Sequence, residues 1–342
     1  MIDGHGDDGF RYGIIRLDFS SNVYAQFSHQ ELLSWLAGRL GDIGHYPEPA
    51  PRELGAVLAA QMEVQPDEVV VTNGATEAIY LTALAMRRSM TAVIVPTFAE
   101  YADACRLHEH RVTFIRSIDD IPEGTDMVWM CNPNNPTGTV TPREKLLDCF
   151  ARHSHILFVV DASYAPFTFQ PLLSPAEACR LPNVVMIHSM TKEFAIPGLR
   201  LGYLTACHRL TEQIGRGRMP WSVNSVAQDA GLWLTAHREK YLVPLEELIH
   251  ERRRVALALE SLGVCDALPS DTHILLCRLH QGTAAALKDY LARQHGILIR
   301  DASNFEGLDH RYFRIAVQSQ AENDELIACI REWSNRTMNY EL

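Results

Sequence analysis

The chain of 342 residues is 47% hydrophobic and 21% charged, and it carries a net charge of −11. This length allows one large domain and a smaller one, while the negative charge argues against non-specific binding to nucleic acid or to anionic membranes. No apolar run reaches the roughly 20 residues that cross a bilayer, and the N-terminus shows no signal-peptide pattern. Eight scattered cysteines, with no CxxC pair, favour a reduced cytoplasmic protein without a metal site.

The first predicted helices follow an irregular segment at residues 1–30. Apolar spacing typical of amphipathic helices appears at 30–40 and again at 51–62. The stretch HYPEPAP at 45–51 lies between them, and its three prolines stop a helix and favour an extended crossing.

A short β-branched run at 68–73 leads into Gly74, Ala75 and Thr76, and then into a long apolar helix. A strand, a turn of small residues and a helix N-terminus can together bind an anion, because free backbone N–H groups and the helix dipole favour negative charge. Asn73 offers the alternative that this turn is simply a helix cap. Both interpretations stay open on this stretch alone.

The next predicted strands all end close to a residue that can do chemistry. These strands are apolar runs at 91–96, 127–133, 156–164 and 183–190. Phe98, Asn135, Asp161 and Lys192 lie at or just after their ends. Strands that alternate with helices predict a parallel sheet, which binds ligands at the carboxyl ends of its strands. We therefore expect these residues and Gly74 to form one site.

Lys192 has the surroundings of a reactive lysine. The chain contains only four lysines, and the other three stand among ordinary surface residues in the sequence. Burial would lower the pKa of the Lys192 amine and make it a nucleophile toward carbonyls. Ser189, Thr191 and Arg200 supply hydroxyls and a guanidinium that suit a phosphate. Pyridoxal phosphate needs both an amine and a phosphate site; the alternative is a buried connection whose lysine reaches solvent.

The sequence becomes mainly helical from about residue 209. A strongly amphipathic helix at 246–262 is expected to bridge into a second domain, where Arg300 and Arg314 stand in or beside predicted strands. Either arginine could simply form a surface ion pair. Neither GxGxxG nor GxxxxGK[ST] occurs, so dinucleotide and Walker-type sites lose their main support. We predict an N-terminal arm at 1–30, a large domain at 31–245 and a small C-terminal domain at 246–342.

Three motifs resemble those of a known enzyme family. They are NPNNPTG at 132–138, DxxY at 161–164 and SxTKxFxxPGLRLGY at 189–203. In this order and spacing they resemble the fold-type I pyridoxal-phosphate enzymes, the class I and II aminotransferases, over nearly the whole chain. The resemblance implies an α/β fold with a mainly parallel central sheet covered by helices, a smaller C-terminal α+β domain, and pyridoxal 5′-phosphate as cofactor.

The resemblance also implies roles around the cofactor ring. Lys192 corresponds to the lysine that binds the cofactor covalently and moves the proton at the substrate carbon. Asp161 corresponds to the partner of the ring nitrogen, where a carboxylate keeps that nitrogen protonated. Asn135 and Tyr164 correspond to donors to the phenolic oxygen, and Phe98 corresponds to the aromatic residue that stacks on the ring.

Other residues are implied to contact the cofactor phosphate, a second subunit or the substrate. The implied phosphate contacts are Gly74, Ala75, Thr76, Ser189, Thr191 and Arg200. Tyr46 corresponds to a tyrosine that reaches the neighbouring subunit's site, so the resemblance implies a homodimer with shared sites. Arg314 corresponds to the arginine that binds the substrate carboxylate and thereby selects which bond at Cα breaks.

The two ends of the chain resemble one branch of the family, the threonine-phosphate decarboxylases of cobalamin biosynthesis. The matching stretches are HGDD at 5–8, LDFSSNV at 17–23 and GILIRDASNFEGL at 296–308. In that branch the match implies that His5, Asn22 and Arg300 help to hold a substrate phosphate, with Arg314 on the carboxylate. A dianionic phosphate needs more than one donor, so this arrangement is chemically sensible.

Two alternatives to a decarboxylase remain open on the sequence. Histidinol-phosphate aminotransferases share the central motifs and would use the same residues to pass an amino group to 2-oxoglutarate; Tyr164 is usual in that branch. The chain departs from the family pattern at Ala162, where an acidic residue is common, and lacks a proline usual after Asn22. The second alternative is not an enzyme but a catalytically silent binding protein of the same fold. The joint presence of Lys192 and Asp161 argues against it.

Overall fold

A computed structural model of the chain describes residues 8–339. The strands in this range are β1 (Leu17–Asp18), β2 (Val69–Thr72), β3 (Met90–Ile94), β4 (Arg111–Ile115), β5 (Met127–Cys131), β6 (Leu157–Asp161), β7 (Val184–Ser189), β8 (Gly202–Ala206), β9 (Cys265–Ala267), β10 (Ile274–Leu279), β11 (Ile297–Leu298), β12 (Arg300–Asp301) and β13 (Tyr312–Ala316). The α-helices are α1 (Gln30–Ala37), α2 (Arg52–Met62), α3 (Gly74–Ala85), α4 (Glu100–Leu107), α5 (Arg143–Arg152), α6 (Pro175–Cys179), α7 (Met190–Glu193), α8 (His208–Gly215), α9 (Ser225–Ala236), α10 (Leu245–Ser261), α11 (Ala284–Tyr290) and α12 (Gln320–Asn339).

A central sheet of seven strands has the order β2-β8-β7-β6-β5-β3-β4. Strands β3 to β7 pair in parallel, whereas β8 runs antiparallel to both β7 and β2. Every residue of β5 and β6 is buried, as expected for apolar strands covered by helices on both faces. The expectation of a mainly parallel central sheet is confirmed.

The parallel strands bring the predicted site residues to one edge of the sheet. Cys131 at the end of β5 pairs with Asp161 at the end of β6, and Asp161 pairs with Ile187 near the end of β7. Since β7 leads directly into α7, Lys192 follows at the same edge. The carboxyl ends of three neighbouring strands therefore carry the loops that build the site.

A second sheet forms the smaller C-terminal α+β unit and has the antiparallel order β12-β13-β10-β9. The long helix α10 packs against β9, β10 and α12, so it connects the large domain to this sheet. None of the helices within residues 8–339 is long and apolar enough to cross a membrane. All eight cysteines lie in the described range as free thiols, and seven of them are buried.

The described part of the N-terminal arm, residues 8–30, packs on the small C-terminal domain through β1 and Phe19. Strand β1 pairs in parallel with β11, and the Phe19 N–H donates to Leu298 O at 2.8 Å. The Phe19 carbonyl accepts a hydrogen bond from the Ala316 N–H at 2.9 Å, which ties the arm to β13 as well. The arm thus extends the surface that the C-terminal sheet presents to the site.

A buried ion pair also fastens the arm to α11. Lys288 Nζ lies 2.7 Å from each carboxylate oxygen of Asp8, and the two side chains are only 8% and 10% exposed. The expectation that Lys288 is a surface lysine is wrong, since its side chain is buried. The sequence alone could not show this, because the partner carboxylate lies in a distant part of the chain.

Asp8→Asn is expected to lower the free energy of unfolding by about 3–5 kcal/mol, because it leaves the buried Lys288 ammonium without its counter-charge. Urea unfolding of the purified variant measures this loss. Asp289→Asn is the matched control, since Asp289 pairs with Arg293 at an exposed position, and its cost should stay below about 1 kcal/mol. Equal, small losses in both variants would show that the Asp8 pair does not stabilise the fold.

Candidate active site

A cavity of about 230 Å³ opens at the carboxyl ends of β5, β6 and β7. Most of the predicted site residues line it: Asn22, Ala75, Thr76, Phe98, Asn135, Asp161, Tyr164, Ser189, Thr191, Lys192, Arg200 and Arg314. They come from the arm, the large domain and the small domain, so the cavity lies where the three meet.

Asp161 is fixed in the floor of this cavity. It is 4% exposed, its Oδ2 accepts a hydrogen bond from Tyr101 Oη at 2.6 Å, and its Oδ1 accepts one from the Ser163 N–H at 2.9 Å. Burial raises the pKa of the Asp161 carboxyl, while the hydrogen bonds from Ser163 and Tyr101 and the charge of Lys192 oppose that rise. A buried carboxylate held in this way is suited to pair with a cationic ring nitrogen.

Sequence reasoning missed Tyr101. The residue is completely buried, and its ring stacks on Trp129 with centroids 5.1 Å apart and planes 10° from parallel. Burial, as the largest cause, raises the pKa of its hydroxyl well above the ordinary value, so the group stays protonated and donates to Asp161. A tyrosine three residues after Phe98, on a helix that starts at the site, was the available signal.

The turn before α3 has the geometry of an anion site. The Asn73 side chain does not cap the helix, so the capping interpretation is wrong. The Asn73 backbone N–H donates to Glu77 Oε2 at 2.5 Å. Gly74 has φ of +75°, and a Cβ there would lie 2.6 Å from Arg200 Nη2. Gly74 therefore does not line the cavity itself but lets the Arg200 guanidinium approach the helix N-terminus.

Hydrogen bonds link the small domain and the arm to the large domain within the cavity. Arg314 Nη1 donates to Asn135 Oδ1 at 2.6 Å. Asn22 Nδ2 donates to Tyr164 Oη at 3.1 Å, and burial raises the pKa of Tyr164. Lys192 Nζ donates to the carbonyl of Ser21 at 2.5 Å. The predicted catalytic and substrate-binding residues are thus connected by direct contacts.

Arg300 lies beside the cavity but does not line it. Its Cα pairs directly with that of Arg314 on the neighbouring strand, and the two residues are 6% and 4% exposed. Burial is the largest cause that lowers the pKa of each guanidinium to about 10. Arg300 donates to Asp301 O at 2.6 Å and to Asn304 Oδ1 at 2.7 Å, which are neutral acceptors.

One further predicted residue in the described range does not line this cavity. Tyr46 is 84% exposed and lies against Trp221, with ring centroids 5.2 Å apart. His5 lies outside the described residues, so its predicted role in phosphate binding stays a prediction.

Unpaired polar atoms in the cavity indicate that it holds a polar ligand. Within residues 8–339, Asn22 Oδ1, Thr191 Oγ1 and Arg314 Nε are buried and have no hydrogen-bond partner. Buried polar atoms in native proteins are normally paired. The Thr191 hydroxyl, the Arg200 guanidinium and the Asp161 carboxylate all line this cavity, so it has polar groups for a ligand with a phosphate and a basic ring.

A sequence model described as aminotransferase class I and II matches residues 14–330. The chain belongs to this family. Threonine-phosphate decarboxylase from Salmonella typhimurium is 30% identical to this aminotransferase-family chain over 336 residues, covering 92% of this chain and 90% of the relative. Histidinol-phosphate aminotransferase from Roseiflexus castenholzii is also 30% identical, covering 93% and 89% of the two chains.

Solved structures of the family agree with this assignment. The crystal structure of L-threonine-O-3-phosphate decarboxylase from Porphyromonas gingivalis matches with a TM-score of 0.91 and 36% identity, covering 93% of this chain and 99% of that one. The fold is that of the pyridoxal-phosphate enzymes of fold type I, as expected. The protein is a pyridoxal 5′-phosphate-dependent enzyme, and the cavity described above has the polar groups to hold that cofactor.

Proposed function

We propose that this family member is an L-threonine-O-3-phosphate decarboxylase of cobalamin biosynthesis. The observation that carries the proposal is the pair of buried arginines, Arg300 and Arg314, on directly opposite strand positions. Like charges opposite each other destabilise a sheet. The hydrogen bonds of the two guanidinium groups go to neutral oxygens, those of Asp301 and Asn304 for Arg300 and those of Asn135 and Ser20 for Arg314. A substrate with two anionic groups would give each guanidinium a directly bonded counter-charge.

The chain's own residues divide the work between binding and proton transfer. Arg314 would hold the substrate carboxylate, and Arg300 with Asn22 and His5 would hold its phosphate. Pyridoxal phosphate, when bound, supplies an aldehyde that condenses with the substrate amine and a protonated ring that accepts an electron pair. Asp161 would keep the ring nitrogen protonated. Of the chain's lysines only Lys192 lines the cavity, and we assign it the proton transfer at Cα.

The overall reaction breaks the bond between Cα and the carboxylate. Carbon dioxide leaves, the electron pair stays at Cα, and a proton takes the place of the carboxylate to give a phosphorylated amino alcohol. Arg314 would favour this outcome by fixing the direction of the bond between Cα and the carboxylate, because small changes in orientation decide which bond reacts.

The second candidate function is transamination of histidinol phosphate. It is supported by the relative from Roseiflexus castenholzii, which is as similar as the decarboxylase, and by Tyr164. Lys192 would then remove the proton from Cα rather than return one. The same cavity serves both reactions, so a direct assay must separate them.

The test supplies the purified holoenzyme with one substrate at a time. We expect carbon dioxide and a phosphorylated amino alcohol from phosphothreonine, and no glutamate from histidinol phosphate plus 2-oxoglutarate. A boiled sample and the enzyme without substrate are the controls. Glutamate formation without carbon dioxide release would contradict the decarboxylase proposal and favour the aminotransferase.

We also propose that the enzyme is a cytoplasmic homodimer with shared active sites. The support for a dimer is a group of exposed apolar side chains, those of Leu40, Ile43, Tyr46, Met219 and Trp221, of which Tyr46 and Trp221 are in contact. Such groups often mark protein–protein contacts, and Tyr46 at 84% exposure is free to reach a second subunit. The free cysteines support a reducing compartment.

A further inference from the structure

Two adjacent carbonyl groups of the arm contact two cations of the active site. Ser20 O accepts a hydrogen bond from Arg314 Nη2, and Ser21 O accepts one from Lys192 Nζ. In an extended strand, successive carbonyls point in opposite directions. Since both serines line the same cavity, the chain must turn between the strand β1 and this point.

The next residue completes the contact and shows the turn in its backbone. Asn22 is 1% exposed, has φ of 54° and donates to Tyr164 Oη at 3.1 Å. A positive φ is uncommon for a residue other than glycine, although asparagine tolerates it better than most. Such a conformation persists when the surrounding structure holds it in place.

Asp18 is the residue that holds this turn. Its Oδ1 accepts hydrogen bonds from both the Ser20 N–H and the Ser20 hydroxyl, each at 2.7 Å. Phe19, between them, is buried and bonded on both sides to the small domain. The Asp18 carboxylate also lies close enough to Arg314 to favour its charged form. These contacts fix where the Ser20 carbonyl lies.

We propose that Asp18 is a positioning residue for substrate binding, which acts through the turn of residues 18–22 on Arg314 and Lys192. The Ser20 carbonyl limits the directions open to the Arg314 guanidinium, so that its remaining N–H groups meet the substrate carboxylate. The Ser21 carbonyl does the same for the Lys192 amine. Without the Asp18 acceptor, the chain after β1 is no longer held in this turn. The Ser20 and Ser21 carbonyls would then no longer be fixed beside Arg314 and Lys192.

Asp18 itself does not line the cavity, so its effect is indirect. It should therefore influence substrate affinity far more than cofactor affinity, because the cofactor phosphate site at α3 and Arg200 lies on the large domain. The positioning role of Asp18 rests on the proposed function only in the choice of phosphothreonine as the substrate probe.

The experiment compares holoenzyme carrying Asp18→Ala with holoenzyme carrying Asp18→Asn. Asparagine keeps the Oδ1 acceptor and loses only the charge, so it should rescue the turn. Phosphothreonine is titrated, and the change in visible absorbance of the cofactor gives its Kd. We expect Asp18→Ala to raise this Kd about tenfold and Asp18→Asn to stay within about threefold of the wild type. The Kd of pyridoxal phosphate should stay within about threefold in both variants.

A second measurement does not need a substrate. Hydrogen exchange of peptides that cover residues 18–25 should speed up by about tenfold or more in Asp18→Ala and remain near wild type in Asp18→Asn. A thermal melt confirms that each variant is folded. If Asp18→Ala is not folded, it is replaced by Ser20→Ala, which removes only the hydrogen bond from the Ser20 hydroxyl to Asp18.

The outcomes separate this inference from the proposed function. If wild-type enzyme responds to phosphothreonine and Asp18→Ala has the same Kd, the positioning role is wrong. Equal weakening by Asp18→Ala and Asp18→Asn would also overturn it, because charge rather than the turn would then be the cause. If the wild type responds only to histidinol phosphate, the proposed function fails, and the same comparison with that ligand decides the role of Asp18. Unchanged hydrogen exchange in Asp18→Ala overturns the inference with either substrate.

Discussion

Lys192→Ala is expected to lower kcat/KM by at least about 10⁴-fold, because it removes both the proposed covalent attachment point of the cofactor and the group proposed to move the proton at Cα. Initial rates with phosphothreonine measure the loss. Intact-mass spectrometry after borohydride reduction should find the cofactor attached to the wild type and absent from the variant. Non-covalent uptake should persist, since the phosphate contacts around Arg200 remain.

Lys145→Ala is the matched control for this change. Lys145 is an exposed lysine that pairs with Asp119 at the surface, so its loss should leave both rate and mass unchanged. Attachment of the cofactor to Lys192→Ala would show that a different amine binds it. A wild-type protein that never takes up pyridoxal phosphate would instead support the catalytically silent alternative.

Arg314→Ala is expected to weaken phosphothreonine binding by about 10²–10³-fold, because a buried charge that pairs with a ligand carboxylate is worth roughly 2–5 kcal/mol when one partner is truncated. The affinity for pyridoxal phosphate should change little, since Arg314 contacts Asn135 through one nitrogen only. Phosphothreonine is titrated while the cofactor absorbance is monitored, which gives the affinity for phosphothreonine. The absorbance before any substrate is added shows whether the same sample has bound pyridoxal phosphate.

Two further variants test the reason for this loss. Arg314→Lys keeps the charge but not the planar pair of donors, so we expect it to recover only part of the affinity. Arg311→Ala removes a nearby arginine that pairs with Asp309 away from the cavity, and it should bind substrate normally. If Arg314→Ala lost the cofactor spectrum as well, its role would lie in cofactor binding rather than in substrate recognition.

The residues at the carboxyl ends of the parallel strands were predictable from the sequence alone. Asp161 lies at the end of one apolar run and Lys192 just after another. Such runs, bounded by turn residues, predict buried strands, and parallel strands place their ends together. The positions of these residues therefore follow from the apolar pattern of each strand and from the rule that ligands bind at the carboxyl ends of parallel strands. The antiparallel pairing of β8 was not predictable in this way, because an apolar run does not show whether its strand pairs in parallel or antiparallel.

The contacts that complete the site depend on tertiary structure. Ser20 and Ser21 act through backbone carbonyls, which any residue possesses, so no residue type marks them. The opposition of Arg300 and Arg314 depends on the register of β12 against β13, which a shift of one residue would abolish. Tyr101 resembles an ordinary core aromatic until its hydroxyl is seen to face Asp161.

The packing of the arm on the C-terminal domain has a consequence for the order of folding. Asp8 and Lys288 are 280 residues apart in the sequence, and closing so large a loop is entropically costly and slow. The central sheet, whose strands end at Ala206, is complete before α11 has been synthesised, and domains tend to fold as they emerge. The side of the cavity that the central sheet builds can therefore form early, whereas the side built by the arm and the C-terminal domain assembles last, when these two distant parts of the chain meet.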